Sequence, residues 1–176
     1  KNSNVITTNS ATSALHLAYK VNGVKERSLV WTTPITFVAT ANVALLLGAQ
    51  IDFVDINART LNMCPIRLEE KLKKAQKRLP DFVTVVHFAG NPCQMKEIFN
   101  LSKQYGFKII EDSSHAMGAV YEGMPIGRND FSLASVFSFH PVKMITTGEG
   151  GALTVASKKL KEKAVSLRSH GIFEKK

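Results

Sequence analysis

The chain has 176 residues, 44% of them hydrophobic, and a formal charge of +9, so it can bury one good core as a single domain. No run approaches the ~20 apolar residues of a membrane span, because the longest candidate, Val38–Leu47, is broken by Thr40 and Asn42. The excess charge lies in two helix-patterned segments, Arg67–Arg78 at +4 and Lys158–Lys176 at +5; with Phe173 the one Phe, Tyr or Trp in them, they lack interleaved stacking rings and are solvated outer faces, which argues against nucleic acid and leaves attraction of a small anion open.

In chain order, Lys1-Asn2-Ser3-Asn4 lacks the apolar stretch of a secretory signal. Val5–Thr8 reads as a strand that runs through Asn9-Ser10-Ala11-Thr12 into a helix over Ser13–Val21. Free N–H groups at that helix start, with the Thr12 and Ser13 hydroxyls, suit a phosphate, although an ordinary hydroxyl cap uses the same residues. A strand over Leu29–Thr32 ends at Pro34-Ile35-Thr36-Phe37, and a helix over Val38–Leu47 follows. Phe37 is either core or the cover of a flat ligand. Next come a strand over Ile51–Val54, a helix over Ile66–Arg78, a strand over Val83–His87 and a helix over Met95–Tyr105.

The strand Lys108–Glu111 leads into Asp112-Ser113-Ser114-His115. Successive strand residues face opposite ways, so Glu111 and Asp112 diverge and one of them can enter a pocket. A buried carboxylate needs a cationic partner, such as a protonated ring nitrogen, or else forms a cap or ion pair. Ser135–Ser138 is a further strand, and Lys143 follows in the run Phe139–Gly151, among apolar residues and with little other charge. An amine in apolar surroundings loses proton affinity and becomes nucleophilic, as a Schiff-base lysine must be. A strand over Ala152–Val155 and a helix over Lys158–Ser169 complete the pattern.

Alternation of strands and helices predicts an α/β fold with a mostly parallel sheet and helices on both faces. Ligands in such folds bind at the carboxyl ends of strands. The four strand ends together ask for a flat, phosphorylated ligand with a basic ring nitrogen and an aldehyde, which pyridoxal phosphate satisfies. Cys64 and Cys93 show no metal spacing, no metal site is expected, and two separated thiols fit a reducing cytoplasm. A strand within the first residues and the lack of an initiator Met lead to the expectation that the chain is a piece of a longer protein.

Four motifs, Asn9–Leu15, Thr33–Asn42, Glu111–Ala116 and Phe137–Gly151, resemble in order those of the DegT/DnrJ/StrS sugar aminotransferases, which are fold-type-I pyridoxal-phosphate enzymes. The resemblance implies that residues 1–176 are the cofactor-binding large domain, without the family's N-terminal segment and C-terminal small domain. It implies Lys143 as the Schiff-base lysine and proton shuttle, Asp112 as partner of the ring nitrogen, and Phe37 on one ring face with Ser114 near the other. Thr12, Ser13 and Ser138 match phosphate-binding positions, and His115 a residue beside the phenolic oxygen. The implied reaction moves an amino group, usually from glutamate, to a keto group of a nucleotide-linked sugar, in a homodimer serving polysaccharide synthesis. Leu133–His140 and Leu167–Gly171 look similar to members that aminate C4 of a UDP-linked 4-keto-6-deoxy-N-acetylhexosamine. Ser113 and Ser114 stand where many members have alanines. The alternatives are a pyridoxal-phosphate sugar dehydratase, in which histidine replaces the lysine, and a non-catalytic module retaining the fold.

Overall fold

The computed structural model of the protein describes residues 4–75 and 78–172. In chain order the elements are β1 (Val5–Thr8), α1 (Ala11–Asn22), β2 (Leu29–Thr32), α2 (Ala39–Leu46), β3 (Gln50–Phe53), α3 (Pro65–Lys74), β4 (Phe82–Val86) and α4 (Met95–Tyr105). There follow β5 (Lys108–Asp112), a short hairpin of β6 (Val120–Tyr121) and β7 (Met124–Pro125), then β8 (Ala134–Ser138), β9 (Gly151–Val155) and α5 (Lys158–Arg168).

Seven strands make one sheet in the order β1-β9-β8-β5-β4-β2-β3. Strands β3, β2, β4, β5 and β8 are parallel, whereas β9 pairs antiparallel with both β8 and β1. Strand β1 therefore points the same way as the parallel set, and β9 alone is reversed. Every residue of β4 and β8 is buried, as expected for strands covered on both faces. One core places Leu15, Ala18 and Tyr19 of α1 with Val43 of α2, Ala164 of α5, and Ile110, Val136 and Leu153 of the sheet. The opposite core joins Leu68 and Leu72 of α3 and Ile98 and Leu101 of α4 to Val83, Val85 and Ile109. A side chain of this kind contributes about 1.5–3 kcal/mol when fully buried.

All the expected helices and strands form, with shifts at their ends. Helix α1 begins at Ala11 because Ser10, in extended backbone, caps it through its side chain. Helix α3 stops at Lys74, short of the expected Arg78; residues 76–77 lie outside the described residues. Strand β5 runs one residue further than expected and includes Asp112. The β6–β7 hairpin has two residues per strand, too few for alternation to register in a sequence. Among the described residues no helix is long and apolar enough to cross a membrane.

Candidate active site

The sheet's topology gathers one set of strand ends. In register, Thr8 of β1 faces Gly151 of β9, Gly151 faces Ser138 of β8, and Asp112 of β5 faces Val86 of β4. These ends border a cavity of about 300 Å³. Of the residues singled out in the sequence, Thr12, Phe37, Asp112, Ser114, His115, Ser138 and Lys143 all line it.

Ser13 does not. Its hydroxyl donates to Asn9 Oδ1 at 2.6 Å, and its backbone N–H donates to Ser10 Oγ at 3.1 Å. It borders instead an open groove of about 670 Å³ with His16, Lys20 and Arg168, whose lining includes no carboxylate. The cavity wall at the start of α1 is Ser10, Ala11 and Thr12. Ala11 and Thr12 open the helix, so their N–H groups have no intrahelical acceptor. Gly151 makes this wall possible, since a Cβ there would collide with the backbone of Ser10 and Ala11.

Asp112 is 4% exposed and satisfies its charge through three donors. Thr40 Oγ1 donates to Oδ2 at 2.7 Å, while Ser114 donates to Oδ1 from its N–H at 3.1 Å and its hydroxyl at 2.6 Å. Among the described residues its hydrogen-bond donors are all neutral. Glu111 goes the other way, as alternation requires. Its Oε2 meets His87 Nε2 at 2.7 Å, and Ser132 Oγ donates to its Oε1. His87 Nδ1 accepts the Cys93 N–H at 3.0 Å, so the ring carries its proton on Nε2 and donates it to Glu111. Glu111 is thereby bound up in structure behind the sheet, and Asp112 is the carboxylate left to the cavity.

Lys143 lies on the loop between β8 and β9, where its N–H donates to His140 O at 2.9 Å. The loop closes on itself through Phe139 N–H to Gly150 O at 2.9 Å and Thr147 N–H to Phe139 O at 3.1 Å. Lys143 is half-buried, but Val142, Met144 and Ile145 around it are exposed, contrary to the apolar setting anticipated for its amine. Among the described residues, no helix or strand covers the loop from which those side chains project. Phe37 is 72% exposed at the cavity mouth and is no part of the core. His115 stands edge-on to Phe88, with ring centroids 6.3 Å apart. Burial lowers its pKa, the Lys143 charge lowers it further, and the Asp112 charge opposes both.

Sequence reasoning did not nominate Thr36, Thr40, His140 or Glu149. Thr36, His140 and Glu149 line the cavity, with His140 Nε2 3.7 Å from Glu149 Oε1, and Thr40 lies just behind it. One signal for Thr40 was present: a threonine interrupting an apolar helix must bury a hydroxyl and needs a partner for it.

Known proteins are similar to this chain in sequence and in fold. The chain is 49% identical over 168 residues to the UDP-4-amino-4,6-dideoxy-N-acetyl-beta-L-altrosamine transaminase of Campylobacter jejuni, a match that covers 96% of the chain and 43% of that protein. The chain thus spans less than half the length of this relative. Its fold is similar to Helicobacter pylori PseC, an aminotransferase involved in the biosynthesis of pseudoaminic acid, with TM-score 0.88 and 37% identity over 98% of this chain and 45% of that one. It is similar too to NtdA from Bacillus subtilis, solved with bound cofactor PMP, with TM-score 0.81 and 28% identity over 92% and 35% of the two chains. Residues 1–176 match one family throughout, and the chain belongs to it: the DegT/DnrJ/EryC1/StrS aminotransferases.

Proposed function

We propose that the protein is a pyridoxal-phosphate aminotransferase that moves an amino group from glutamate to a keto group of a nucleotide-linked sugar, with residues 1–176 as the cofactor-binding large domain. One observation carries this reading: Lys143 and Asp112, from separate strand ends, line the same cavity, with the start of α1 as its wall. The residues fit the cofactor. Asp112 is a buried carboxylate that takes only neutral donors from the protein, which suits a protonated ring nitrogen. The Ala11 and Thr12 N–H groups, with Ser138 opposite, suit a phosphate. Phe37 and Val86 offer apolar cover for a flat ring.

When bound, the cofactor supplies an electron sink and carries the amino group between the two substrates. The chain's residues do the rest. Asp112 would hold the proton on the ring nitrogen, and the start of α1 would hold the phosphate, with Lys143 lining the same cavity. Lys143 Nζ then moves a proton to and from the reacting carbon as general acid and base. His115, whose pKa is lowered by burial and by the Lys143 charge and raised by Asp112, would offer the cofactor a hydrogen-bonding group from the cavity lining. The names of the Campylobacter and Helicobacter relatives support a UDP-linked amino-sugar precursor as substrate. The reading includes a homodimer, supported by the uncovered apolar side chains at the cavity mouth, and a cytoplasmic location, supported by the free thiols of Cys64 and Cys93.

Lys143→Ala tests the assignment. The unaltered protein incubated with pyridoxal phosphate should show the visible absorbance of a lysine-bound cofactor. The variant should lose that band and retain weak binding through the phosphate. An unchanged band in the variant removes Lys143 from this role.

A further inference from the structure

Asp112 is held by more than its own strand. Thr40 in the first turn of α2 is fully buried, and its hydroxyl donates to Asp112 Oδ2 at 2.7 Å. The same hydroxyl lies 2.7 Å from Thr36 Oγ1. Because the Thr40 proton is committed to the carboxylate, Thr36 must be the donor in that second bond, so the three groups form an ordered chain ending on Oδ2. The Thr40 backbone is fixed as well. Its N–H donates to Phe37 O at 3.1 Å, and its carbonyl accepts the buried Tyr19 hydroxyl at 2.8 Å.

A carboxylate offers about four lone-pair sites, two on each oxygen. Ser114 fills both sites of Oδ1 and Thr40 fills one site of Oδ2. The capacity that remains is on Oδ2. We propose that Thr40 is a positioning residue, which with Thr36 behind it fixes the Asp112 carboxylate so that Oδ2 is the oxygen that receives the N–H of a protonated aromatic ring in the cavity. Thr40 does not line the cavity and acts only through Asp112. Thr40 therefore contributes by orienting the carboxylate, and its loss is felt only by a ligand whose ring N–H needs Oδ2 in that orientation. The proposal rests on reading the cavity as a pyridoxal-phosphate site.

The experiment compares two ligands in the full-length protein: pyridoxal phosphate and its 1-deaza analogue, in which the ring nitrogen is a C–H. Dissociation constants are read by absorbance titration for the unaltered protein, Thr40→Val and Thr40→Ser, and thermal unfolding checks that each is folded. Thr40→Val should weaken pyridoxal phosphate by about tenfold, leave the analogue nearly unaffected, and be rescued by Thr40→Ser. Equal weakening of both ligands, or of neither, overturns the proposal and leaves the cofactor reading intact. If the unaltered protein does not prefer pyridoxal phosphate over the analogue, the ring-nitrogen role of Asp112 fails, and the proposal fails with it. Should Thr40→Val not fold, Thr40→Ala, which also removes the donor to Oδ2, makes the same comparison.

Discussion

His115 and Lys143 line one cavity, and the lysine's charge acts on the histidine. The His115 pKa is lowered first by burial and then by the Lys143 ammonium, while Asp112 pulls it upward. Nuclear magnetic resonance titration of the His115 ring in the cofactor-free protein should therefore give a midpoint below the ordinary histidine range. Lys143→Ala should raise that midpoint, and Asp112→Asn should lower it further; a fall on removing Lys143 would contradict the electrostatic arrangement. At this scale the sequence was partly legible. Asp112 and Glu111 could be separated by alternation alone, and they do face opposite partners. The surroundings of Lys143 could not be read, because an apolar sequence neighbourhood is not a buried one. Val142 is 76% exposed although it flanks the lysine directly. Thr40 stood out only as an interruption in an apolar run, and its partner lies 72 residues away.

At the scale of elements, the contact between β9 and α1 governs the cavity. Strand β9 begins against the first turn of α1, and Gly151 has no room for a methyl group beside the Ser10 and Ala11 backbone. Both neighbours are main chain at a helix start, with little freedom to yield. Gly151→Ala should cost about 1–3 kcal/mol, the usual range for overpacking. For a chain of this size each kcal/mol lowers the unfolding midpoint by about 2–4 °C, so calorimetry should find a fall of several degrees. A midpoint unchanged in that variant would show that the helix start moves freely. The strands and helices themselves were readable because their runs are long enough to carry a period. Their order in the sheet was not. Nothing local in Ala152–Val155 announces that it runs against its neighbours, and Phe137 to Gly151 looks the same whether it leads to a parallel or an antiparallel strand.

Across the whole molecule, apolar side chains remain uncovered near the cavity. Phe37 and Val142 stand at its mouth, Met144 and Ile145 continue along the lysine loop, and Leu45 and Leu46 continue along α2. Large exposed apolar patches mark association surfaces. Sedimentation of the full-length protein should show a dimer, and Leu46→Glu should shift it toward monomer; a variant that remains fully dimeric would place the interface elsewhere. The positive charge, by contrast, proved uninformative about partners: α3 carries it on an outer face, with Lys71 bonded to Asp52 at 2.7 Å and Lys73 to Glu69 at 2.6 Å. The pairing of β1 with β9 has a further consequence. Val5 meets Thr154 and Thr8 meets Gly151, so the two sides of the cavity nearest the helix start come from segments more than a hundred residues apart in sequence. A ribosome that has made everything through Asp112 has made the carboxylate and the helix start but not the strand that brings the lysine loop beside them. Competence to hold a ligand here thus appears only once β9 has been made, and the cavity records the meeting of segments distant in sequence.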